Sequence, residues 1–333
     1  MKAHPTIRGV AALTAGLVLM PLALSACGTK EDESAYTIGI SQFMSHPSLD
    51  MAVQGFKDVL KEKGVDVKYV ESNANGDQTA TVTIAGQFAA DSDIDLVLAV
   101  ATPSAEAMVN KVEDRPVLFT AVTDPVESGL VPSWEASGTN VTGTSDLNPN
   151  GQPAALIQEV LGKDNAKTVG FLYSLGEANS VVQLEALRAE AEPLGMTVKE
   201  SGLGNSSELA IGIQALADVD AIFVGTDNAV VSGIEQVVAF GEEHKIPIFV
   251  GDAASVDRGA VAARGIDYYE VGRRTGEMAY EILVNGKKAG DIPSLQVTDT
   301  EIVVNPVAAE AFGVVIPEEV MKNAAIVNTA EAE

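Results

Sequence analysis

Cysteine is nearly absent from this sequence. Cys27 is the single cysteine in 333 residues, so no intrachain disulfide can form and stability has to come from burial of a core. Aromatic residues make up only 5% of the chain, whereas hydrophobic residues make up 46%. The predicted core is therefore built mainly from Ala, Val, Leu and Ile.

Positive charge is also scarce. Lys and Arg number 21 against 47 Asp and Glu, which gives a formal net charge of −26. Such a surface repels nucleic acid and anionic lipid, so neither is expected as a partner. The sign of a binding pocket does not follow from this, because a pocket can differ from the surface around it.

Recognisable catalytic motifs are missing. Histidine occurs three times, and zinc sites need several His or Cys ligands. A Ser/His/Asp triad would have to use His46, but no nucleophile-elbow motif supports it. Gly202-Leu203-Gly204 lacks the third glycine of a dinucleotide fingerprint. We therefore expect no catalysis, no metal and no cofactor.

One long apolar run stands at the start of the sequence. Lys2 and Arg8 precede the apolar stretch from Val10 to Ala26. This order is typical of a secretory signal, predicted here over residues 1–26. Gly16 and Pro21 interrupt the run, which makes it a poor permanent membrane span.

The residues Leu24-Ser25-Ala26-Cys27 resemble the bacterial lipobox. That resemblance implies cleavage before Cys27 and a diacylglycerol on its sulfur. An ordinary secretory peptide with a chance cysteine is the alternative. Residues 27–35 are short, polar and charged, and are predicted to be a flexible tether.

Beyond the tether, short β-rich runs alternate with helical patterns. The predicted strands are Tyr36–Ser41, Val67–Glu71, Asp95–Ala101, Val117–Ala121, Thr168–Tyr173, Thr197–Ser201, Ala221–Gly225 and Pro247–Gly251. The predicted helices are Ser48–Lys63, Gln78–Ala90, Pro103–Val112, Gly151–Leu161, Ser180–Leu194, Ser207–Ala217 and Ala229–His244. This alternation predicts an α/β fold with parallel sheets. The pattern restarts after about residue 146, which indicates two lobes with a cleft between them.

Ligands of parallel α/β sheets bind outside the carboxyl ends of the strands. The loops that follow the predicted strands are therefore the candidate site, and they are chemically richer than the loops at the opposite ends. These loops are Gln42–Pro47, Thr102–Ser104, Thr123–Pro125, Gly176–Ser180, Thr226–Asn228 and Asp252–Ser255.

The same loops carry a family resemblance that extends from about Tyr36 to Ile316. Its blocks are Ile38–Gln42, His46–Asp50, Ala101–Pro103, Phe119–Pro125, Asn140–Asp146, Glu177–Ser180, Thr226–Asn228 and Gly265–Tyr269. Together they resemble ABC-importer solute-binding proteins of the tryptophan/tyrosine type. The resemblance implies a type I periplasmic-binding-protein fold, with two Rossmann-like lobes joined by three crossovers.

The resemblance also implies how the chain divides. The N-terminal lobe is expected to contain residues 36–145 and 266–288, and the C-terminal lobe residues 146–265 and 289–333. The first crossover is expected near Ser145–Asn148, with Asn148 in the hinge. After a strand over Ala260–Arg264, the chain is expected to return to the first lobe through a helix over Tyr269–Val284. The third crossover is expected near Lys288–Ile292, before a final strand over Glu301–Asn305.

An amino acid in the cleft needs partners for both of its charged groups. A carboxylate suits a helix N-terminus with hydroxyls, which Thr102 and Ser104 offer in one lobe and Asn179 and Ser180 in the other. The expected partners of the ammonium are three carboxylates that follow strands, Asp124, Asp227 and Asp252.

Gln42, Phe43 and His46 complete the predicted ligand site, with Tyr173 as an alternative to Phe43. Gln42 can donate and accept hydrogen bonds, Phe43 or Tyr173 can cover a flat side chain, and His46 is a candidate contact. Structural alternatives stay open. Asp124 can simply set a turn before Pro125, the other polar residues can be helix caps, and His46 can be a structural histidine.

The predicted function is the solute-binding component of an ABC importer, which captures an amino acid, aromatic in type, by hinge closure. We expect a monomer that is lipid-anchored on the outer face of the cytoplasmic membrane and meets ABC permease subunits. One alternative is a ligand-sensing lipoprotein that signals to a receptor. A sugar or nucleoside ligand is another, although the scarcity of aromatics disfavours both.

Overall fold

The computed structural model describes residues 36–148 and 152–327. The predicted signal peptide (1–26) and the tether (27–35) with Cys27 lie outside the described residues. Within the described part, no helix has the length and apolar character needed to cross a membrane.

Thirteen strands and twelve α-helices make up the described part of the chain. The strands are β1 Tyr36–Gln42, β2 Val67–Asn73, β3 Leu96–Val100, β4 Val117–Val122, β5 Val141–Ser145, β6 Thr168–Ser174, β7 Thr197–Leu203, β8 Ala221–Val224, β9 Ile248–Asp252, β10 Ala262–Ile266, β11 Leu295–Gln296, β12 Thr300–Val304 and β13 Ala324–Ile326. The helices are α1 Pro47–Glu62, α2 Gln78–Ala90, α3 Thr102–Val109, α4 Pro153–Leu161, α5 Ala178–Ala191, α6 Leu209–Gln214, α7 Asn228–Ser232, α8 Ile234–His244, α9 Ala253–Asp257, α10 Tyr268–Leu283, α11 Pro306–Phe312 and α12 Glu318–Lys322.

The strands form two separate sheets, each with its own hydrophobic core. The first sheet has the order β11-β5-β4-β3-β1-β2 and is parallel throughout. The second has the order β13-β12-β10-β9-β8-β6-β7, and only the β10–β12 pair is antiparallel. Every residue of β3, β4 and β8 is buried, as expected for strands covered by helices on both faces. The two-lobed α/β architecture predicted from the sequence is confirmed.

The chain passes between the sheets three times, and the third crossing differs from the prediction. It was expected near Lys288–Ile292, but β11 pairs with Thr144 and Ser145 of β5 in the first sheet. Val297 is also buried in the first core. The third crossing therefore follows Val297, and residues 289–297 belong with the first lobe. A two-residue strand after Pro293 is too short to leave a readable pattern.

One predicted helix is broken in the structure. The sequence favours a continuous helix over Ala229–His244, but Gly233 separates α7 from α8. A Cβ at Gly233 would lie 2.5 Å from Leu209 Cδ2. The glycine thus lets the start of α6 pack against the break.

Glycines also bring α1 and α10 into close contact on the first sheet. A Cβ at Gly272 would lie 1.8 Å from the Ala52 carbonyl oxygen, and one at Gly55 would lie 2.1 Å from that of Tyr269. The apolar stripe of α1 that includes Phe56 and Leu60 is fully buried, in line with its predicted core role. Because α10 follows the second crossing, this contact fixes where the chain re-enters the first lobe.

Gly272→Ala should therefore destabilise the protein strongly. The added methyl group meets backbone, which cannot rotate away, and overpacking of this kind costs about 1–3 kcal/mol or more. Gly86→Ala in α2 is the matched control, because no atom lies within 4 Å of its Cβ position. Alanine there should be neutral or stabilising by up to about 1 kcal/mol. Urea unfolding of both variants measures the difference, and equal midpoints would show that the close approach is not needed.

Candidate functional site

The carboxyl ends of the two sheets face each other across a narrow polar gap, called the interlobe gap below. The first lobe contributes His46 and Ser48 from the start of α1 and Thr123 after β4. The second lobe contributes residues that follow β6, β8 and β9. The lining residues are His46, Ser48, Leu49, Ala121, Thr123, Asp146, Asn179, Thr226, Asn228, Val231, Asp252 and Tyr268.

Side chains from the two lobes bond directly across this gap. Ser48 Oγ donates to Asp252 Oδ1 at 2.8 Å, and His46 Nε2 lies 3.2 Å from Asn228 Oδ1. At the rim, Gln78 Nε2 donates to the Gly176 carbonyl at 3.2 Å. The lobes are thus in contact, in a closed arrangement.

Asp252 both caps a helix of the second lobe and lines the interlobe gap. It ends β9 and caps α9, where it accepts hydrogen bonds from Ser255 N at 3.0 Å and Ser255 Oγ at 2.8 Å. The bond from Ser48 reaches the same carboxylate from the other lobe. The α9 cap therefore fixes this carboxylate at the boundary of the lobes.

Asp146 is the second carboxylate of the gap. It follows β5 and accepts hydrogen bonds from Thr123 Oγ1 at 3.0 Å and from the Tyr268 hydroxyl at 2.7 Å. Burial raises the pKa of Asp146 above its usual value, despite these bonds. Burial and the nearby Asp146 also hold the pKa of Tyr268 well above its usual value, so its hydroxyl remains a donor.

A second pair of carboxylates lies just behind the gap in the second lobe. Asp227 caps α7 and accepts bonds from Ser174 Oγ at 2.9 Å and Ser180 Oγ at 2.7 Å. Glu177 accepts bonds from the backbone N–H and side-chain amide of Asn228 and from Asn179 Nδ2. Burial, followed by the charge of Asp227, raises the pKa of Glu177 to about 8.

None of these carboxylates forms an ion pair with a lysine or arginine of the described residues, where the nearby Arg258 and Arg264 pair instead with Glu235 and Glu159. Asp146, Glu177, Asp227 and Asp252 are all buried, whereas no lysine or arginine in residues 36–148 and 152–327 is. Burial lowers the pKa of His46, so this histidine stays neutral near pH 7. Buried charge without a partner is costly. The interlobe gap is therefore arranged to receive a cation.

Two cavities adjoin at the interlobe gap. The cavity within the gap has a volume of about 10 Å³, which is close to the space that a single water needs. A larger cavity of about 400 Å³ lies mainly in the second lobe. Thr123, Asp146 and Thr226 line both cavities.

The structure separates the ten predicted ligand residues into three groups. His46, Asn179 and Asp252 line the gap, and Ser180 and Asp227 lie behind it, bonded to each other. The other five residues line neither cavity, and they are Gln42, Phe43, Thr102, Ser104 and Asp124.

Three of those five have clear structural roles. Phe43 is buried in the first core, so it is not placed to cover a ligand in this structure. Asp124 accepts bonds from the backbone N–H groups of Val126 and Glu127, which matches the turn alternative. Gln42 donates to Asp50 Oδ1 at 2.7 Å.

The start of α3 differs from its predicted capping geometry. Thr102 is the first residue of α3, and Ala101 occupies the cap position with φ of 73°. Thr102 Oγ1 is buried without a hydrogen-bond partner, and Ser104 Oγ lies 3.4 Å from Ser41 Oγ. Thr102 therefore does not cap the helix.

Several gap residues were not among the predicted ones, and they are Ser48, Thr123, Asp146, Thr226, Asn228 and Tyr268. All lie in sequence blocks that the family resemblance marked. Asp146 was missed because β5, half polar and containing Gly143, was not recognised as a strand. Its position after a strand would have identified it.

The sequence profile of the family described as ABC transporter substrate binding protein matches residues 37–328. The chain belongs to this family. A tyrosine-binding protein from Clostridioides difficile (strain R20291) is 42% identical over 273 residues, which cover 80% of this chain and 78% of that protein.

Solved structures of similar proteins agree with the family assignment. A Streptococcus pneumoniae domain in complex with L-Trp is 38% identical, with a TM-score of 0.83 over 87% of this chain and 100% of that one. More distant solute-binding proteins, 12% to 18% identical with TM-scores of 0.59 to 0.60, share the fold. The predicted type I periplasmic-binding-protein fold is thereby confirmed.

A third comparison bears on the arrangement of the lobes. A ligand-free, open structure of a substrate binding protein from Clostridium difficile is 39% identical, covering 88% of this chain and 99% of that one, yet its TM-score is 0.66. Identity and coverage are nearly the same as for the L-Trp complex. The present structure is therefore more similar to the L-Trp complex than to the ligand-free, open structure. This agrees with the hydrogen bonds that join its two lobes across the gap.

We expect the unliganded protein to lose stability as pH rises from about 4.5 to 8. Glu177 has its pKa raised in the folded state, so the folded protein keeps a proton that the unfolded chain releases in this window. The free energy of unfolding should fall by up to about 1.4 kcal/mol per pH unit.

Denaturant unfolding at several pH values measures this slope. Glu177→Gln should flatten it, whereas Glu127→Gln, at an exposed glutamate, should leave it unchanged. An identical slope in Glu177→Gln would show that Glu177 does not hold the proton.

Proposed function

We propose that this protein is the extracytoplasmic component of an ABC importer and captures an aromatic amino acid between its lobes. The observation that carries the proposal is the excess of buried carboxylate at the interlobe gap without a buried lysine or arginine in the described chain. A ligand ammonium supplies the missing positive charge. The family assignment supports the transport role.

Asp252 and Asp146 are the proposed partners of the ammonium. Both are buried and both line the gap. Asp252 is the last residue of β9, and Asp146 directly follows β5. An ammonium has three donors, and Asn179 Oδ1, which is buried without a partner, is a third acceptor. A cation held in this way contacts both lobes, because Asp146 follows β5 of the first sheet and Asp252 ends β9 of the second.

The ligand carboxylate has a different set of partners. Ser48 and Leu49 in the first turn of α1 line the gap, and N–H groups at a helix N-terminus favour an anion. The hydroxyls of Thr123 and Thr226 lie 3.4 Å apart at the junction of the two cavities and can donate as well. Ser48, Leu49 and Thr123 replace Thr102 and Ser104 as candidates in the first lobe.

The aromatic character of the ligand is supported by similar proteins. The relative with 42% identity is a tyrosine-binding protein, and the solved structure with 38% identity holds L-Trp. Within the gap of this chain, Tyr268 is the one aromatic lining residue besides His46. Sugar sites in this fold usually stack several aromatics on the ring, and the aromatic content of only 5% disfavours a sugar.

Closure follows from ligand contacts with both lobes. A ligand that bridges them binds the closed state better and shifts the population toward it. The permease then recognises the closed form, and ATP hydrolysis in the partner drives transport. The chain itself performs no catalysis in this proposal, acts as a monomer and needs no cofactor.

Asp252→Asn should weaken amino-acid binding by roughly 30-fold or more, because losing one partner of a desolvated charge costs about 2–5 kcal/mol. Asparagine still caps a helix well, so α9 should persist. Asp257→Asn at the exposed end of α9 is the control and should bind normally. Calorimetry with L-tyrosine and L-tryptophan measures both, and equal affinities would exclude Asp252 as the ammonium partner.

Cys27→Ser should release the protein from membranes. We propose that Cys27 carries the diacylglycerol that holds the protein on the outer face of the cytoplasmic membrane. Fractionation of expressing cells should find the wild-type chain with membranes and the variant in the soluble extracytoplasmic fraction. A variant that stays with membranes would contradict the lipid anchor.

A further inference from the structure

The 400 Å³ cavity lies between α4, α5 and the ends of β8 and β9 in the second lobe. Its size falls within the range of small-ligand pockets, about 300–1,000 Å³. Because Thr123 and Asp146 also line it, the cavity opens toward the proposed ammonium site. It is therefore placed to take another part of the same ligand.

Much of the cavity wall is apolar, although Asn148, Gln152 and Arg264 add polar groups to the lining. Leu156 of α4 and Leu187 of α5 face Phe223 and Phe249 of the sheet. All four side chains are at most 6% exposed, so the wall is fixed by the packing of the second core. Ala186 completes it on the solvent side, where this residue is exposed.

Polar groups occupy both ends of the cavity along α5. Gln183 bonds to Thr123 and Thr226 at the end near the gap. Glu190 is at the other end, where its Oε1 accepts a bond from Ala155 N at 2.8 Å. Their separation of seven positions corresponds to about two helical turns and about 10.5 Å of rise, so both face the same side of α5.

We infer that this cavity holds the aromatic ring of the ligand, with the ammonium end at Asp146 and the polar tip of the ring near Glu190. The inference rests on the proposed function and assigns side-chain selection to α4 and α5 of the second lobe. The small cavity in the gap has no room for a ring, whereas the large one offers an apolar slot between two polar ends.

Glu190 gives this slot a preference among aromatic amino acids. The phenol of tyrosine and the indole N–H of tryptophan are hydrogen-bond donors, and a carboxylate accepts from either. Phenylalanine has no donor at its tip and would leave the carboxylate without this bond. Tyrosine and tryptophan are therefore favoured over phenylalanine.

The experiment that tests this inference places a bulky side chain in the cavity by substitution of an exposed residue that lines it. Ala186→Phe places a ring at an exposed position of α5 that lines the cavity, so the fold should persist. We expect the Kd for L-tyrosine and L-tryptophan to rise about 10- to 100-fold, because two rings compete for one space. Ala189→Phe is the matched control, since Ala189 is exposed on the same helix and does not line the cavity. Its Kd should stay within about threefold of wild type.

Glu190→Gln provides an independent test and keeps an acceptor for Ala155 N. The ratio of the Kd for L-phenylalanine to that for L-tyrosine should fall several-fold in this variant. If Ala186→Phe has a lowered Tm, its Kd values do not test the ring assignment, and the ratio of Kd values in Glu190→Gln becomes the test. An unchanged ratio then overturns the inference.

Two failures can be told apart in the same titrations. Aromatic amino acids that bind wild type and Ala186→Phe equally would overturn the ring assignment while the proposed function stands. A wild-type protein that binds no aromatic amino acid would overturn both.

Discussion

Buried negative charge where the lobes meet is the constraint on which the site depends. Asp146 and Asp252 face the gap and Asp227 lies just behind it, all buried. Glu177 lies beside Asp227 and keeps its proton near neutral pH, because its pKa is raised to about 8. Caps, hydroxyls and amides stabilise these carboxylates, but such groups carry no net positive charge. Bringing the lobes together without a cation therefore works against electrostatic repulsion and desolvation. A ligand that supplies an ammonium removes that cost, which links binding to closure.

The fold explains why these groups meet. Parallel sheets place the carboxyl ends of their strands at one edge, and the three crossings turn the two edges toward each other. The short helices α7 and α9 begin directly after β8 and β9, so the aspartates that cap them lie at the boundary between the lobes. Close contact of α1 and α10 through Gly55 and Gly272 holds the first lobe in the matching position.

The strand–helix alternation made the fold predictable from the sequence, because buried strands such as β3 are continuous apolar runs. The site was only partly predictable. Asp227 and Asp252 follow strands and cap helices alike, and only the tertiary structure shows that Asp252 faces the gap. Asp146 escaped notice because β5 is too polar to read as a strand. Thr102 looked like a cap, but the backbone of Ala101 takes that position. Side-chain direction depends on packing between lobes, which local patterns do not encode.

The need for a ligand cation can be tested with one pair of molecules. L-Tyrosine and 3-(4-hydroxyphenyl)propanoate differ only in the ammonium group, and calorimetry on the wild-type protein compares them directly. We expect L-tyrosine to bind and the deaminated compound to bind at least about 30-fold more weakly, as the loss of a desolvated charge partner predicts. Equal affinity for the two would contradict the role assigned to the buried carboxylates.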